Sequence, residues 1–395
     1  MKKRKLLMIP GPIEFEPEVL RAMSLTTTSH VAPNFIETFG HCLELLKNIF
    51  EAPNGQPFVI AGSGTLAMDM AAANLIETGE KVLVISTGYF GGRFNDIFKR
   101  YGASTTVLRA SIGESVDLAQ IENVLKTDQF KALAMTHVDT STGILADAQS
   151  IAELANKYGA LSVLDGVCSV AGERMEQENW GIDIVLTGSQ KAIGVPPGLA
   201  LLMASKRAIE VWKKRKNPVP NYYADWANWL PIMQAYEERR PSYFGTPSVN
   251  LIYALEVSLQ SIIEEGMVQR AQRHKKLADA FRRGITAIGL KLMPKTEEVA
   301  ANTLSAIYFP EDIDGGLLRK KIMESDVIIA GGLLPEIKNK YFRVGHMGAV
   351  SANDLLAVLG ALERVLLELG HCFEAGRSMA VFQDTILNWP ESSLA

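Results

Sequence analysis

The chain reads as an α/β protein: a mostly parallel sheet clad in helices forms a large domain, and a smaller α+β domain follows it. Three observations predict this. From about residue 57 to 203, short apolar runs alternate with stretches of helical character, the rhythm of β-α-β units. Several of those runs, such as Ala132 to Met135, are apolar without alternation, as in strands buried on both faces. After about residue 266 the rhythm gives way to an α+β pattern.

Taken in order, Phe58–Ile60 reads as a strand, followed by Gly62-Ser63-Gly64-Thr65 and an Ala/Met-rich helical stretch to Ile76. Strands are expected at Lys81–Ser86, Ser104–Arg109, Ala132–Thr136, Leu161–Asp165, Ile182–Leu186 and Leu199–Met203. Helices are expected between them at Gly91–Tyr101, Leu118–Lys126 and Asp147–Tyr158. Residues 204–265 read as mainly helical, broken by an aromatic loop from Asn217 to Tyr243 and closed by a long helix, Val249–Glu265. Beyond it come a helix at Gln269–Ile288, strands at Ser305–Phe309, Val327–Ala330 and Tyr341–Val344, and a helix at Ala352–Leu369. The expected division is an N-terminal arm at 1–17, a large domain at 18–265 and a small domain at 266–395.

Composition narrows the functional classes. The chain has 395 residues, 47% hydrophobic and 21% charged, an ordinary globular balance. A net charge of -4 offers no global basic field for nucleic acid. The basic start Met1-Lys2-Lys3-Arg4-Lys5 leads into an apolar run, Leu6 to Ile9, too short for a leader and ended by Pro10. No run has the length of a membrane span, and Ser392-Ser393-Leu394-Ala395 is not a peroxisomal signal, so the cytoplasm is the expected compartment. Cys42, Cys168 and Cys372 make neither a disulfide framework nor a zinc pattern, and the six histidines contain no His-Glu-x-x-His; no metal is expected.

The chemistry centres on Lys191, in Gly188-Ser189-Gln190-Lys191 between two apolar runs. It is either an ordinary loop lysine or a buried one, whose lowered pKa would free a neutral amine to condense with an aldehyde. Gly62-Ser63-Gly64-Thr65, between strand and helix, is a tight turn or a phosphate cradle; it matches neither Walker A nor the dinucleotide pattern. Asp165 ends an apolar strand, where an acid is a helix cap or part of an α/β ligand site. Phe90, beyond the strand Lys81–Ser86, is a core aromatic or a stacking surface for a flat ring. Lys191 follows Asp165 by 26 residues, which permits both at one sheet edge. A Schiff-base lysine, an acid for a pyridinium proton and a phosphate cradle together imply pyridoxal 5'-phosphate.

The chain resembles the class V aminotransferases of the alanine–glyoxylate and serine–pyruvate group, in the fold-type I pyridoxal phosphate superfamily. The resemblance rests on Pro10-Gly11-Pro12, Gly62-Ser63-Gly64-Thr65, Thr136-His137 with Thr140-Ser141-Thr142-Gly143, Asp165-Gly166-Val167, Gly188-Ser189-Gln190-Lys191, Pro196-Pro197-Gly198, Tyr243-x-x-Thr246-Pro247 and Arg343-Val344-Gly345, in family order over about residues 8–370. It implies a seven-stranded sheet in the large domain. It implies that Lys191 forms the internal aldimine and carries the proton, and that Asp165 pairs with the pyridine nitrogen. Val167 and Phe90 would pack on the two ring faces; Thr140 would bond near the ring hydroxyl; Gln190 and Thr65 would contact the phosphate beside Ser63 and Gly64. Many relatives carry tryptophan at the Phe90 position and histidine at the Thr65 position. Tyr243 and Thr246 would reach the phosphate of a neighbouring subunit, implying a homodimer. Arg343 would bind the substrate carboxylate through its two-pronged guanidinium.

The implied reaction is ping-pong transamination from alanine or serine to glyoxylate or pyruvate, with aspartate or 2-aminoethylphosphonate as other donors. A cysteine desulfurase or other lyase is the competing reading; the region between Asn302 and Arg343 contains no cysteine, which argues against a desulfurase. A non-enzymatic scaffold would be expected to have lost Lys191 or Asp165. His137 reads as structural rather than as a base, Cys168 as packing. The segment Ser29-His30-Val31-Ala32-Pro33 departs from the commoner His-Arg-Ser-Pro pattern of a substrate-side loop.

Overall fold

A computed structural model describes residues 5–389. The basic start at 1–4 and the Ser392–Ala395 end lie outside the described residues. The core of the large domain is a seven-stranded sheet in the order Gln56–Ala61, Leu199–Ala204, Ile184–Gly188, Leu161–Asp165, Ala132–Thr136, Lys81–Ser86, Ser104–Arg109. Leu199–Ala204 is antiparallel to both neighbours and the other pairings are parallel. The carboxyl ends of six strands therefore share one edge. Every residue of Ala132–Thr136, Leu161–Asp165 and Ile184–Gly188 is buried, which explains their mostly apolar character without alternation.

Helix Gly64–Leu75 packs on Ile184–Gly188 and Leu199–Ala204. Its small Ala67, Ala71, Ala72 and Ala73 are all buried, so helix and sheet approach closely. The smaller C-terminal domain holds an antiparallel sheet ordered Leu304–Tyr308, Tyr341–Gly345, Ala330–Gly331. Helices Met267–Ala287, Gly315–Glu324, Ala352–Glu368 and Arg377–Leu387 cover it, around a core built on Phe281, Leu318, Phe342 and Leu359.

The structure differs from the sequence reading in several places. Helix Pro33–Ile49 was not expected, although Phe35, Ile36, Phe39, Leu43 and Leu46 carry helical spacing behind a proline in the first turn. The aromatic segment 217–243 is not a plain loop: it contains helix Trp226–Glu237, capped by Asp225 and tolerating an internal Pro231. Burial of Trp226, Trp229, Met233 and Tyr236 holds that helix despite the missing N–H. The strand expected at Ile182–Leu186 begins at Ile184. The one expected at Val327–Ala330 divides into Val327–Ile328 and Ala330–Gly331.

The N-terminal segment ties the two domains together. Leu6–Leu7 pairs in parallel with Val327–Ile328, and the Met8 carbonyl accepts from the Gly345 N–H at 2.9 Å. Five residues on, the Ile13 N–H donates to the Gln190 carbonyl at 3.2 Å, so the strap between crosses the loop that carries Lys191. Gly345 is required there: a Cβ would drive into the Ile9 carbonyl and the Pro10 backbone. Gly345→Ala should lower the thermal midpoint by the overpacking cost of about 1–3 kcal/mol. Gly92→Ala is the control: a Cβ there meets nothing within 4 Å on a helix, and it should be neutral or stabilising by up to about 1 kcal/mol. Thermal unfolding of the two variants beside the parent checks both.

Candidate active site

Five of the sheet's loops converge on a cavity of about 220 Å3 at the shared carboxyl edge. Asp165 and Lys191 line it, with Ser63, Gly64 and Thr65 at one end and Phe90, Thr140, Val167 and Gln190 along its walls. The residues singled out for the cofactor are thus brought together, apart from Tyr243 and Thr246. Those two lie in an exposed segment, hydroxyl to hydroxyl at 3.4 Å, and line no part of the cavity. A larger cleft of about 690 Å3 lies elsewhere, its wall including Glu14, Glu264, Glu265, Arg270 and Arg273, and holds none of these residues.

Lys191 owes its position to a tight loop. The Ser189 hydroxyl donates to the Pro196 carbonyl at 2.8 Å and accepts from the Leu199 N–H at 3.2 Å. The Gly194 N–H closes onto the Lys191 carbonyl at 2.8 Å, and Gly194 takes φ +75°. The lysine side chain is 7% exposed and its ammonium donates to the Pro10 carbonyl. Gly11 lies directly over it, at φ +115°, where any Cβ would strike the lysine chain. Burial pushes the Lys191 pKa down; nearby Arg343 pushes the same way, while Cys168 and Asp165 oppose it.

Asp165 is 2% exposed and accepts from the Val167 N–H at 3.0 Å through Oδ1; Oδ2 accepts from no described residue. Burial pushes its pKa up to about 7, against the lowering effects of the Val167 N–H, Lys191 and Arg93. An acid so placed is stabilised as an anion by a cationic ring nitrogen.

At the other end, the helix starting at Gly64 has no side-chain cap from Ser63, which leaves its first-turn N–H groups to the cavity. The Gln190 Oε1 atom is buried without a partner among the described residues. Gly64 is obligatory, since a Cβ would lie 2.6 Å from Val167 Cγ2 and narrow the space above that side chain. A flat ring bearing an aldehyde, a basic nitrogen and a phosphate fits this donor set.

Arg343 lies within the strand Tyr341–Gly345 rather than at its end. Its Nε donates to the Gly331 carbonyl at 2.9 Å and its Nη1 to the Thr140 carbonyl at 2.8 Å. Thr140 lines the cavity, so the guanidinium stands at its margin. His137 lies elsewhere, on a cleft shared with Trp180 and Glu173; burial lowers its pKa to about 4. The His30 ring packs on Tyr243 at 5.0 Å and does not reach the cavity. Cys168 is buried, 3.8 Å from the Thr303 hydroxyl.

Two charged residues of the site were not singled out in the sequence. Asp139 is fully buried and accepts from the N–H groups of Phe90 at 2.9 Å and Gly91 at 3.3 Å, capping helix Tyr89–Arg100 and fixing Phe90. Arg93 lines the cavity. Its spacing was the available signal: on a helix, a residue three beyond Phe90 shares its face.

A buried lysine facing a buried acid, beside an uncapped helix start on a parallel sheet, defines a pyridoxal-phosphate-dependent enzyme of fold-type I. The aminotransferase class-V family pattern matches residues 18–335, and the chain belongs to that family, whose members use pyridoxal phosphate. It is 37% identical over 364 residues to alanine–glyoxylate aminotransferase 1 of Saccharomyces cerevisiae, covering 89% of this chain and 94% of that one. It is 31% identical over 383 residues to serine–glyoxylate aminotransferase of Arabidopsis thaliana, covering 95% and 94%. Among solved structures, ureidoglycine–glyoxylate aminotransferase from Bacillus subtilis superposes with a TM-score of 0.91 at 29% identity, covering 98% of this chain and 99% of that chain.

The Asp165 shift has a testable consequence without cofactor. An acid whose pKa rises on folding binds more protons folded than unfolded between its ordinary value of about 4 and its folded value. Stability therefore falls as pH rises from about 4 to about 7 and stays reduced above it. At about 1.4 kcal/mol per pKa unit the ceiling is about 4 kcal/mol. Asp165→Asn should remove this dependence, making the cofactor-free variant more stable than the parent at pH 8 by more than it is at pH 5. Denaturant unfolding at the two pH values measures it, and equal differences would refute it.

Proposed function

We propose that the chain transfers an amino group from a small amino acid, alanine or serine, to a 2-oxo acid, with glyoxylate ahead of pyruvate as acceptor. The carrying observation is the Lys191 amine and the Asp165 carboxylate buried on one cavity that ends at the open start of helix Gly64–Leu75. Glyoxylate is favoured because relatives named for different donors share it as acceptor.

When bound, pyridoxal phosphate supplies the aldehyde carbon that carries the amino group and a ring that takes up the charge left by a departing α-proton. Lys191 would anchor it, then move that proton, as an amine whose pKa burial lowers. Asp165 would hold a proton on the ring nitrogen. Val167 and Phe90 would clasp the ring faces, with Thr140 at its edge. Ser63, Gly64, Thr65 and Gln190 would bind the phosphate. Arg343 would orient the substrate carboxylate, and the Pro10-Gly11 strap would keep water from the amine.

Further parts of the reading concern assembly. Tyr243 is 61% exposed on this subunit, and its role is to reach, with Thr246, the phosphate of a second copy in a homodimer. The proposed domains are an arm at 1–17, a large domain at 18–265 and a small one at 266–395, with Gly266 at φ +87° marking the last boundary. Among the described residues no helix is long and apolar enough to cross a membrane; the cytoplasm is proposed on the sequence grounds already given.

Purified protein with pyridoxal phosphate should show a visible absorption band, absent in Lys191→Ala; no band in the parent would overturn the reading. Spectral conversion with alanine, serine, aspartate and 2-aminoethylphosphonate in turn identifies the donor, and conversion by none of them rejects the donor class. Arg343→Ala should raise the KM for carboxylate donors by tenfold to over a hundredfold, as about 1.5–3 kcal/mol for a charged hydrogen bond requires, while keeping the band. Steady-state kinetics beside the spectrum decides it, and loss of the band would contradict the role.

A further inference from the structure

We propose that Arg93 is the side-chain cation that neutralises the phosphate end of the cofactor and makes this chain prefer the phosphorylated aldehyde over the unphosphorylated one. The inference deepens the cofactor site described above and rests on it.

The first observation is place. Arg93 lines the cavity at the same end as Ser63, Gly64 and Thr65, and its Nη1 donates to the Thr65 hydroxyl at 3.0 Å. The second is support. Its guanidinium carbon lies 4.8 Å from the Phe90 ring centroid and 5.3 Å from that of Tyr89, so the planar group rests against two aromatic rings. The third is charge. Arg93 forms no ion pair with a carboxylate among the described residues, and its bond to Thr65 engages only one of its five N–H donors.

The charges around the cavity then leave one role open. Of its lining residues only Lys191 and Arg93 carry cationic side chains. Lys191 is committed to the aldehyde. A phosphate near neutral pH brings a charge close to -2, against which a helix start offers only about half a positive charge. The guanidinium fork matches phosphate oxygens, and the aromatic rings hold it without neutralising it. The Thr65 hydroxyl, by accepting from Arg93, is free to turn its own proton toward the same oxygens.

The test uses the full chain freed of cofactor. Affinities for pyridoxal phosphate and for pyridoxal, which lacks the phosphate, are measured by absorbance for the parent, Arg93→Gln and Arg93→Met. The methionine variant keeps an aliphatic stem against Phe90 and reads the same effect should the glutamine variant not fold. The expected result is a loss of at least tenfold in affinity for pyridoxal phosphate, with pyridoxal affinity within twofold of the parent. Equal weakening of both aldehydes would overturn the proposal by showing that Arg93 acts through the ring wall. An unchanged phosphate preference would overturn it as well, leaving the transaminase reading intact. Failure of the parent to take up either aldehyde would sink both.

Discussion

The constraint on which this structure turns is the burial of an amine and a carboxylate in one small cavity. Each charge alone is disfavoured away from water, and each is favoured by the other. Lys191 is driven toward its neutral form and Asp165 toward its protonated form by burial, and their mutual attraction resists both shifts. Neither takes the other as a hydrogen-bond partner: the ammonium turns to the Pro10 carbonyl, and the carboxylate to the Val167 N–H. Both line the same cavity of about 220 Å3.

That arrangement is a product of topology. Leu161–Asp165 and Ile184–Gly188 are adjacent parallel strands, with Asp165 in register with Leu186. Asp165 thus sits at the strand end while Lys191 stands five residues beyond its register partner, on a loop that folds back through Ser189 and Gly194. The antiparallel strand Leu199–Ala204 returns the chain and places the open end of Gln56–Ala61, with its helix start, beside the same edge. An acid, an amine and an uncapped helix start meet because their strands run the same way to one edge, with Leu199–Ala204 lying between the lysine strand and the helix-leading one.

The legible parts were those where local pattern and burial agree. Lys81–Ser86 and Ala132–Thr136 were readable as strands because burial on both faces favours unbroken apolar runs such as Val82–Ile85 and Ala132–Met135. Lys191, Asp165 and the Gly62–Thr65 turn were readable because their residue types are unusual between buried elements. Trp226–Glu237 was not, because its interior proline and many aromatics mimic a loop while tertiary packing holds the helix. Asp139 was hidden for another reason. Its work is done through backbone N–H groups of a distant segment, and nothing in the sequence around Val138 and Thr140 announces that. Arg93 was hidden by its neighbour: Phe90 drew the functional reading, and no role was read for the residue one turn on.

On the proposed reading, the placement of Arg343 would join substrate recognition to cofactor binding. Its guanidinium spans the two domains, one nitrogen on the Gly331 carbonyl of the small domain and another on the Thr140 carbonyl of the large one. Tyr341, two residues before it, repeats the arrangement, accepting from the Leu333 and Leu334 N–H groups at 2.9 Å and donating to the Ser141 carbonyl at 2.6 Å. The loop that walls the cavity at Thr140 is therefore the loop on which the Arg343 guanidinium is braced. A shift of the small domain would move Arg343 against a cavity whose lysine and acid stay fixed to the sheet. On that reading cofactor chemistry and carboxylate binding would rest on different domains, brought into register by these carbonyls together with the N-terminal strap. Relatives named for alanine, serine and ureidoglycine share this fold, so donor choice is set by the site's side chains rather than by the fold.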